Sequence, residues 1–300
     1  MEATRLTRAV AHRQRLGDRL VEVFIYLCGF AAVVIVALIL LFILREAAPL
    51  LGAYSPLDFV GGIRWYPLSG VFGILPLILG SLVVTLGAIA IALPLGLASA
   101  VYLAEVASPR VKDVLKPAIE LLAGIPSVVL GFIGYLVVAE MVKNVFHLPT
   151  GLTGLTGSIL LAYMALPTIV SIADDAIRAV PVEYRHASTA LGATRWQTIV
   201  HVTMPAAKSG IVVAVMLGVG RAIGETMTVW MVTGNAPVIP TTILQPLRTL
   251  TATIAAEMGE TPRGSEHYQA LFAIGLVLFV ITLAINSVSY LVVRQHEDKR

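Results

Sequence analysis

Six separate runs of about 20 predominantly apolar residues, each the length that a helix needs to cross the hydrocarbon core of a bilayer, dominate this 300-residue sequence. The runs cover residues 21–44, 74–103, 119–141, 155–173, 210–232 and 270–293. Only 13% of the residues are charged, against about a quarter in soluble domains, which excludes a soluble globular protein. The same shortage of charge excludes a disordered chain. The sequence predicts an all-α integral membrane protein with six transmembrane helices.

The distribution of lysine and arginine supports this number of spans. With six spans, fifteen of these residues fall on one side of the membrane and five on the other, and Arg221 lies within a span. Basic residues accumulate on the cytoplasmic side, so both termini are predicted to be cytoplasmic. The first apolar run is longer than the roughly 7–15 residues of a signal-peptide core, and no small-residue cleavage site follows it. We therefore expect it to remain as a helix.

The predicted spans divide the chain into parts. The parts are a basic cytoplasmic tail (1–20), the first helix (21–44), an external loop (45–73), a core of five helices (74–293) that includes a cytoplasmic connection (174–209), and a cytoplasmic tail (294–300). A second long outer connection covers 235–269. Each outer connection fits either a solvated loop or a contact with an external partner.

The sequence offers few groups for covalent chemistry. Cys28 is the single cysteine and the six histidines are scattered, which disfavours a disulfide or a metal site. A G-x-x-x-x-G-K-[ST] loop is absent, so ATP binding by this chain is not expected. Asp174 and Asp175 fit a metal-binding pair, but solvated charges at a helix end are the favoured interpretation. We expect no catalytic residue and no metal ligand.

The connection at 174–209, called the knob below, has a helical pattern. Pro181 suits a helix start, and Glu183 falls in the first turn, where the helix dipole favours a carboxylate. Gly192 then interrupts the pattern. The residues predict a first short helix that ends close to this glycine.

A second short helix of the knob follows the glycine. Thr194 and Gln197 have the spacing of a capping box at its start, and the helix is predicted to end before Pro205. Two short helices across a glycine turn suit docking on a soluble partner, and they equally suit packing on the chain's own bundle. The residues alone leave both interpretations open.

Two opposite charges lie within the fifth predicted span. Each of Arg221 and Glu225 costs about 2.5–3.5 kcal/mol at the bilayer centre, and their spacing of four predicts an ion pair on one helix face. Gly220 and Gly224 have the same spacing and predict a surface for close helix packing. The pair fits a packing bridge. It also fits a path for an anion, because a guanidinium matches the oxygens of an oxyanion.

The second half of the knob resembles the cytoplasmic "EAA" loop of ABC importer permeases. The match covers HASTALGATRWQTIVHVTMP, residues 186–205, with the motif glycine at Gly192; His186 stands at the acidic position and Ser188 at the second alanine. The resemblance implies that this loop seats in a cleft of an ATPase subunit and couples that subunit to the permease. The residues that it assigns to coupling are Glu183, His186, Ala187, Gly192, Thr194, Trp196, Gln197, Val202 and Pro205.

Three further segments resemble the phosphate importer permeases of the PstC type. They are RWYPLSGVFGILPLILGSLVVT from Arg64, ELLAGIPSVVLGF from Glu120 and GVGRAIGETMTVWMVTGN from Gly218. The resemblance implies a five-helix core of the type I, MetI-like fold with a peripheral first helix. It also implies that Arg221 and Glu225 act in phosphate passage.

The same resemblance implies an assembly in a bacterial or archaeal plasma membrane. The implied partners are a sister permease in a heterodimer, two copies of an ATP-binding subunit, and an external phosphate-binding protein. ATP and magnesium would be used by the ATPase, with no cofactor on this chain, and contacts would be with lipid and not with nucleic acid.

Four other interpretations compete with this one. The chain fits a permease for another oxyanion, or the sister PstA-type subunit. A self-contained secondary transporter requires inverted repeats, which the sequence does not show. An intramembrane enzyme requires a set of reactive groups at membrane depth, where the sequence places only Arg221 and Glu225.

Overall fold

The computed structural model describes residues 2–297, with the backbone alone for 2–18, 20, 289–290 and 292–297. The helices are α1 (Glu2–Ala53), α2 (Pro56–Gly61), α3 (Leu75–Val101), α4 (Pro109–Ala123), α5 (Ser127–Ile133), α6 (Ala139–Phe146), α7 (Gly154–Arg178), α8 (Val182–Ala190), α9 (Arg195–Thr198), α10 (Met204–Ala206), α11 (Lys208–Gly224), α12 (Met227–Val232), α13 (Leu250–Glu257) and α14 (Glu266–Glu297). Strands β1 (Trp65–Tyr66) and β2 (Val71–Phe72) form an antiparallel hairpin. The end of the predicted tail, 298–300, lies outside the described residues.

Helices long and apolar enough to cross a membrane form most of this structure. Five of them meet that condition within residues 2–297: Val21–Ala53, Leu75–Val106, Ser127–Phe146, Gly154–Arg178 and Glu266–Val288. The number is six when the pair Arg195–Ala206 and Lys208–Gly224, bent by 72°, is counted as one span. The all-α membrane fold with six transmembrane helices is confirmed.

The centre of the bundle is α7, which packs against α3, α4 and α11. Glycines allow the close approach: a Cβ added at Gly96 of α3 would lie 2.8 Å from the Ile169 side chain of α7. A Cβ added at Gly218 of α11 would lie 2.7 Å from the same side chain. Small residues at these contacts are what helices in lipid require, since lipid tails remove the hydrophobic drive between them.

The first helix is peripheral, as predicted. The most apolar part of its span has no buried residue, and it contacts the rest of the chain mainly through α14. Large side chains such as Phe24 and Phe30 are exposed along it and are in position to contact lipid. The helix also runs to Ala53, past the predicted end of the span at residue 44.

The third span begins later than predicted. Residues 119–123 are apolar except for Glu120, but they end the amphipathic helix α4, in which no residue is buried. Gly124 caps α4, and Pro126 disfavours a helical conformation for the residue before it. The span therefore starts at Ser127, after a break at 124–126.

The two long outer connections pack on each other. Trp65 of the hairpin donates from Nε1 to Oε2 of Glu257 at 3.1 Å, and Glu257 also pairs with Arg248. His267 of α14 contacts the same oxygen, Oε2 of Glu257, at 2.8 Å through Nε2. Much of the predicted loop at 45–73 is thus ordered structure that is tied to 235–269.

Candidate functional site

The fifth predicted span is broken in its middle. Helix α11 ends at Gly224, and Glu225 has an extended backbone (φ −70°, ψ 132°) before α12 begins at Met227. The hydroxyl of Thr251 donates to the Glu225 carbonyl at 2.8 Å, which replaces a helical bond that the break removes. The prediction of one continuous helix from 210 to 232 was wrong.

The break also removes the predicted ion pair between Arg221 and Glu225. A spacing of four residues brings two side chains together only in a continuous helix, and Glu225 lies outside α11. Among the residues that the structure describes, Arg221 forms no ion pair. The prediction of an ion pair between Arg221 and Glu225 was therefore wrong, although both residues lie at the break in the fifth span.

The Arg221 guanidinium is half-buried and weakly held. Its Nη1 donates to Oγ1 of Thr168 on α7, and its Nη2 donates to the carbonyl of Ala123 at the end of α4, both at the long distance of 3.4 Å. Hydrogen bonds of this length are weak, because the usual N–H···O distance is about 2.9–3.0 Å. The donors of Arg221 are therefore available to a stronger acceptor.

The break in the fifth span meets the break in front of the third span. Thr228 donates from Oγ1 to the carbonyl of Ser127 at 2.9 Å. The backbone N–H of Thr228 donates to the Glu225 carboxylate at 3.4 Å. Irregular backbone at membrane depth is tolerated only inside protein or along a water-filled cavity. The two breaks together supply polar backbone of the kind that lines such a cavity.

The glycines beside Arg221 do not pack within the chain. A Cβ added at Gly220 or Gly224 would meet nothing within 4 Å. Close packing in α11 occurs at Gly218 instead. The prediction that Gly220 and Gly224 pack against another helix of this chain was therefore wrong. Gly220 and Gly224 leave an open face next to the guanidinium.

The knob has the predicted pair of short helices. Helix α8 begins one residue after Pro181, Gly192 has φ +83°, and Thr194 and Gln197 form both bonds of the capping box. These predictions are confirmed. The helix does not stop before Pro205, because a π-helical turn at Ile199–Thr203 leads into α10, which contains the proline.

The knob both packs on the bundle and exposes a surface. Ile199 is 3% exposed, whereas Leu191 and Trp196 are 90% and 67% exposed. Most of the residues assigned to coupling are exposed, namely Glu183, His186, Ala187, Gly192, Thr194, Trp196, Gln197 and Pro205, and Val202 is half-buried. The knob therefore packs on the chain's own bundle, as one interpretation required. It also exposes a surface that is accessible to a soluble partner, as the other required.

Sequence reasoning missed two contacts that hold the knob. Arg185 of α8 binds Glu105 at 2.8 Å and also donates to the carbonyls of Val180 and Ile177. The hydroxyls of Ser188 and Thr198 lie 2.9 Å apart and are buried, so the serine at the second motif alanine fastens the two knob helices together.

Asp174 is buried, in contrast to the solvated charge that we predicted. Its side chain has no exposed area and pairs with Lys116 at 3.2 Å and with Arg178 at 2.7 Å, while Asp175 is exposed and pairs with Lys116 at 2.7 Å. Among the side chains that the structure describes, no cluster of three His, Cys, Asp or Glu residues is arranged to hold a metal ion.

Comparisons with known proteins show the family to which the chain is similar. Residues 92–299 match the family model of the binding-protein-dependent transport system inner membrane component. A probable ABC transporter permease protein of Bacillus subtilis, YqgH, is 44% identical over 235 residues, which are 78% of this chain and 76% of the relative. The phosphate transport system permease protein PstC of Mesorhizobium japonicum is 37% identical over 257 residues, 79% of this chain and 78% of that protein.

Solved structures share the fold at low identity. An amino acid ABC transporter chain superposes with a TM-score of 0.54 at 20% identity, over 74% of this chain and 93% of the other. A chain of the inward-facing MetNI methionine ABC transporter gives 0.55 at 18%, over 77% and 99%. With its six spans and its knob, the chain belongs to the family of binding-protein-dependent transport system inner membrane components and is a multi-pass permease subunit of an ABC transporter.

Proposed function

We propose that this chain passes inorganic phosphate inward through the membrane as one of two different permease subunits, driven by a separate ATPase. The observation that carries the proposal is Arg221, a guanidinium within the fifth predicted span with two long hydrogen bonds and no carboxylate partner among the described residues. Its planar set of donors suits the oxygens of phosphate. Relatives that are named phosphate transport permeases support this choice of anion.

In the proposed path, the anion passes Arg221 between the two helix breaks. Glu225 lies at the same break, and its negative charge keeps the anion from binding too tightly. A conducting path needs an anion to leave as well as to enter. The open face at Gly220 and Gly224 would be closed by the sister permease, which completes the wall of the path.

The proposed assembly contains a heterodimer of permeases, two copies of an ATP-binding subunit and an external phosphate-binding protein. The exposed surface of the knob would dock on the ATPase, which binds ATP and magnesium, and this chain would bind no cofactor. The knob and both termini would then be cytoplasmic, in a bacterial or archaeal plasma membrane. Opening and closing of the ATPase would reorient the helices that line the path.

The test measures ATP-driven uptake of labelled phosphate by the complete complex in proteoliposomes. Arg221→Gln should reduce uptake by about tenfold or more, since hydrogen bonds to a charged group contribute about 1.5–3 kcal/mol. Arg263→Gln, which changes an exposed arginine of the outer connection, is the matched control and should retain normal uptake.

Two results would contradict the proposal. Normal uptake by Arg221→Gln at an equal membrane level removes this residue from the path. If the unchanged complex takes up sulfate but not phosphate, and phosphate does not compete, the chain serves another oxyanion.

A further inference from the structure

A cluster of four charged side chains joins α4 to the end of α7. Lys116 of α4 lies 2.7 Å from Asp175 and 3.2 Å from Asp174, and Arg178 holds the second oxygen of Asp174 at 2.7 Å. The hydrogen bond to Asp175 raises the pKa of Lys116, with partial burial acting in the opposite direction and Asp174 adding to the rise. Lys116 therefore stays charged at physiological pH, and the link between the helices persists.

The same helix reaches Arg221 at its other end. Ala123 lies seven residues after Lys116, which is about 10 Å along a helix that rises about 1.5 Å per residue. Its carbonyl accepts a hydrogen bond from Arg221. A cation is favoured at this end of a helix, where the dipole is negative. The position of α4 thus sets where one acceptor of the guanidinium lies.

The end of α7 is also tied to the knob. Arg185 of α8 donates to the carbonyl of Ile177 in the last turn of α7 at 2.9 Å and to that of Val180, just after α7, at 2.7 Å. The carboxylate of Glu105 holds the same guanidinium at 2.8 Å. A displacement of the knob is therefore transmitted to the segment that carries Asp174 and Asp175.

Helix α4 makes few contacts with the rest of this chain. None of its residues is buried, and its packing partner is α7. Val114 and Leu121 are 67% and 77% exposed, so little apolar packing opposes a movement of the helix. Lys116 contacts the end of α7, the carbonyl of Ala123 accepts from Arg221, and Lys112 donates to the carbonyl of Ala104.

We propose that Lys116 is a positioning residue that couples the knob to Arg221 through α4, so that docking or closure of the ATPase moves the guanidinium. The inference rests on the proposed function, in which Arg221 contacts the transported anion and the knob contacts the ATPase.

The test compares the number of phosphate ions taken up per ATP hydrolysed. Lys116→Met keeps the length of the side chain and removes its charge, and it should lower this ratio by at least about threefold, the size expected when one link in a coupling network is lost. Lys143→Met, which removes a lysine charge of similar exposure on α6, is the control and should keep the ratio. Lys116→Arg retains the charge and should restore coupling.

A second variant tests the helix itself without touching either contact. Ala118→Gly combined with Glu120→Gly softens α4 at two exposed positions, because glycine disfavours a helix by about 1 kcal/mol relative to alanine. This variant should also lower the ratio, and it covers the case in which Lys116→Met fails to assemble.

Several outcomes would overturn the inference. An unchanged ratio in Lys116→Met, an equal loss in Lys143→Met, or a parallel fall of uptake and ATPase activity would each do so. An unchanged ratio in the softened variant would exclude α4 as the connection.

A measurement of thiol reactivity, made without transported substrate, separates this inference from the proposed function. In a Cys28→Ser background, Gly224→Cys places a thiol at the open break, and its reactivity with a water-soluble reagent should change when ATP is added. Loss of that response in Lys116→Met supports the link even if the complex moves another anion. Retention of the response contradicts the link, whereas absence of phosphate uptake in the unchanged complex contradicts only the proposed function.

Discussion

At the residue scale, the break after Gly224 decides how the two charges in the fifth span behave. Exchange of the two charges, by Arg221→Glu together with Glu225→Arg, should leave phosphate uptake as low as Arg221→Glu alone, because no ion pair exists to be restored. Uptake by the complete complex is the measurement. The exposed pair Glu140 and Lys143 offers the matched exchange, which should be tolerated. Recovery of uptake in the first exchange would show that Arg221 and Glu225 form a structural bridge.

The sequence predicted the identity of these residues but not their partners. Arg221 stands out because an arginine is expensive at membrane depth. Its acceptors, Thr168 and the Ala123 carbonyl, lie 53 and 98 residues away, so no local pattern reveals them. Asp174 was misjudged for the same reason, since Lys116 lies 58 residues before it.

At the scale of elements, the knob depends on one buried hydroxyl pair. Ser188→Ala leaves the hydroxyl of Thr198 buried without this partner, which should cost about 1 kcal/mol of local stability. Amide hydrogen exchange of residues 182–206 should then be about fivefold faster, by the conversion of about 1.4 kcal/mol per tenfold. Thr189→Ala, which removes an exposed hydroxyl of the same helix, is the control. Unchanged exchange in Ser188→Ala would mean that other contacts hold the two helices.

Local rules predicted much of the knob and failed where the chain departs from a regular helix. The capping box and the glycine turn follow from short-range spacing alone. Pro205 predicts the end of the helix, because a proline inside a helix removes one backbone hydrogen bond and crowds the previous turn. In the structure the wider turn at Ile199–Thr203 precedes it and the helix continues.

At the scale of the whole molecule, apolar length and the bias of basic residues were sufficient for the number of spans. They did not separate α4 from the third span, because four of the five residues 119–123 are apolar and Gly124 and Pro126 are weak marks of the break. Nor did spacing show which glycines face the bundle. Gly218 packs on Ile169, whereas Gly220 and Gly224 face outward.

Because Gly218 packs within the chain and Gly224 does not, substitutions at the two positions should have different effects, on the stability of the chain and on its assembly. Gly218→Ala places a Cβ 2.7 Å from Ile169 and should destabilise the chain by about 1–3 kcal/mol, the usual cost of overpacking, visible as a lower melting temperature of the chain in detergent. Gly224→Ala, with nothing within 4 Å, should leave that temperature unchanged. Gly224→Leu should keep the chain folded but reduce recovery of the sister permease in copurification, because its side chain fills the open face. Full recovery of the sister permease with Gly224→Leu would exclude this face from the interface. The path beside Arg221 would then have to be closed by another surface.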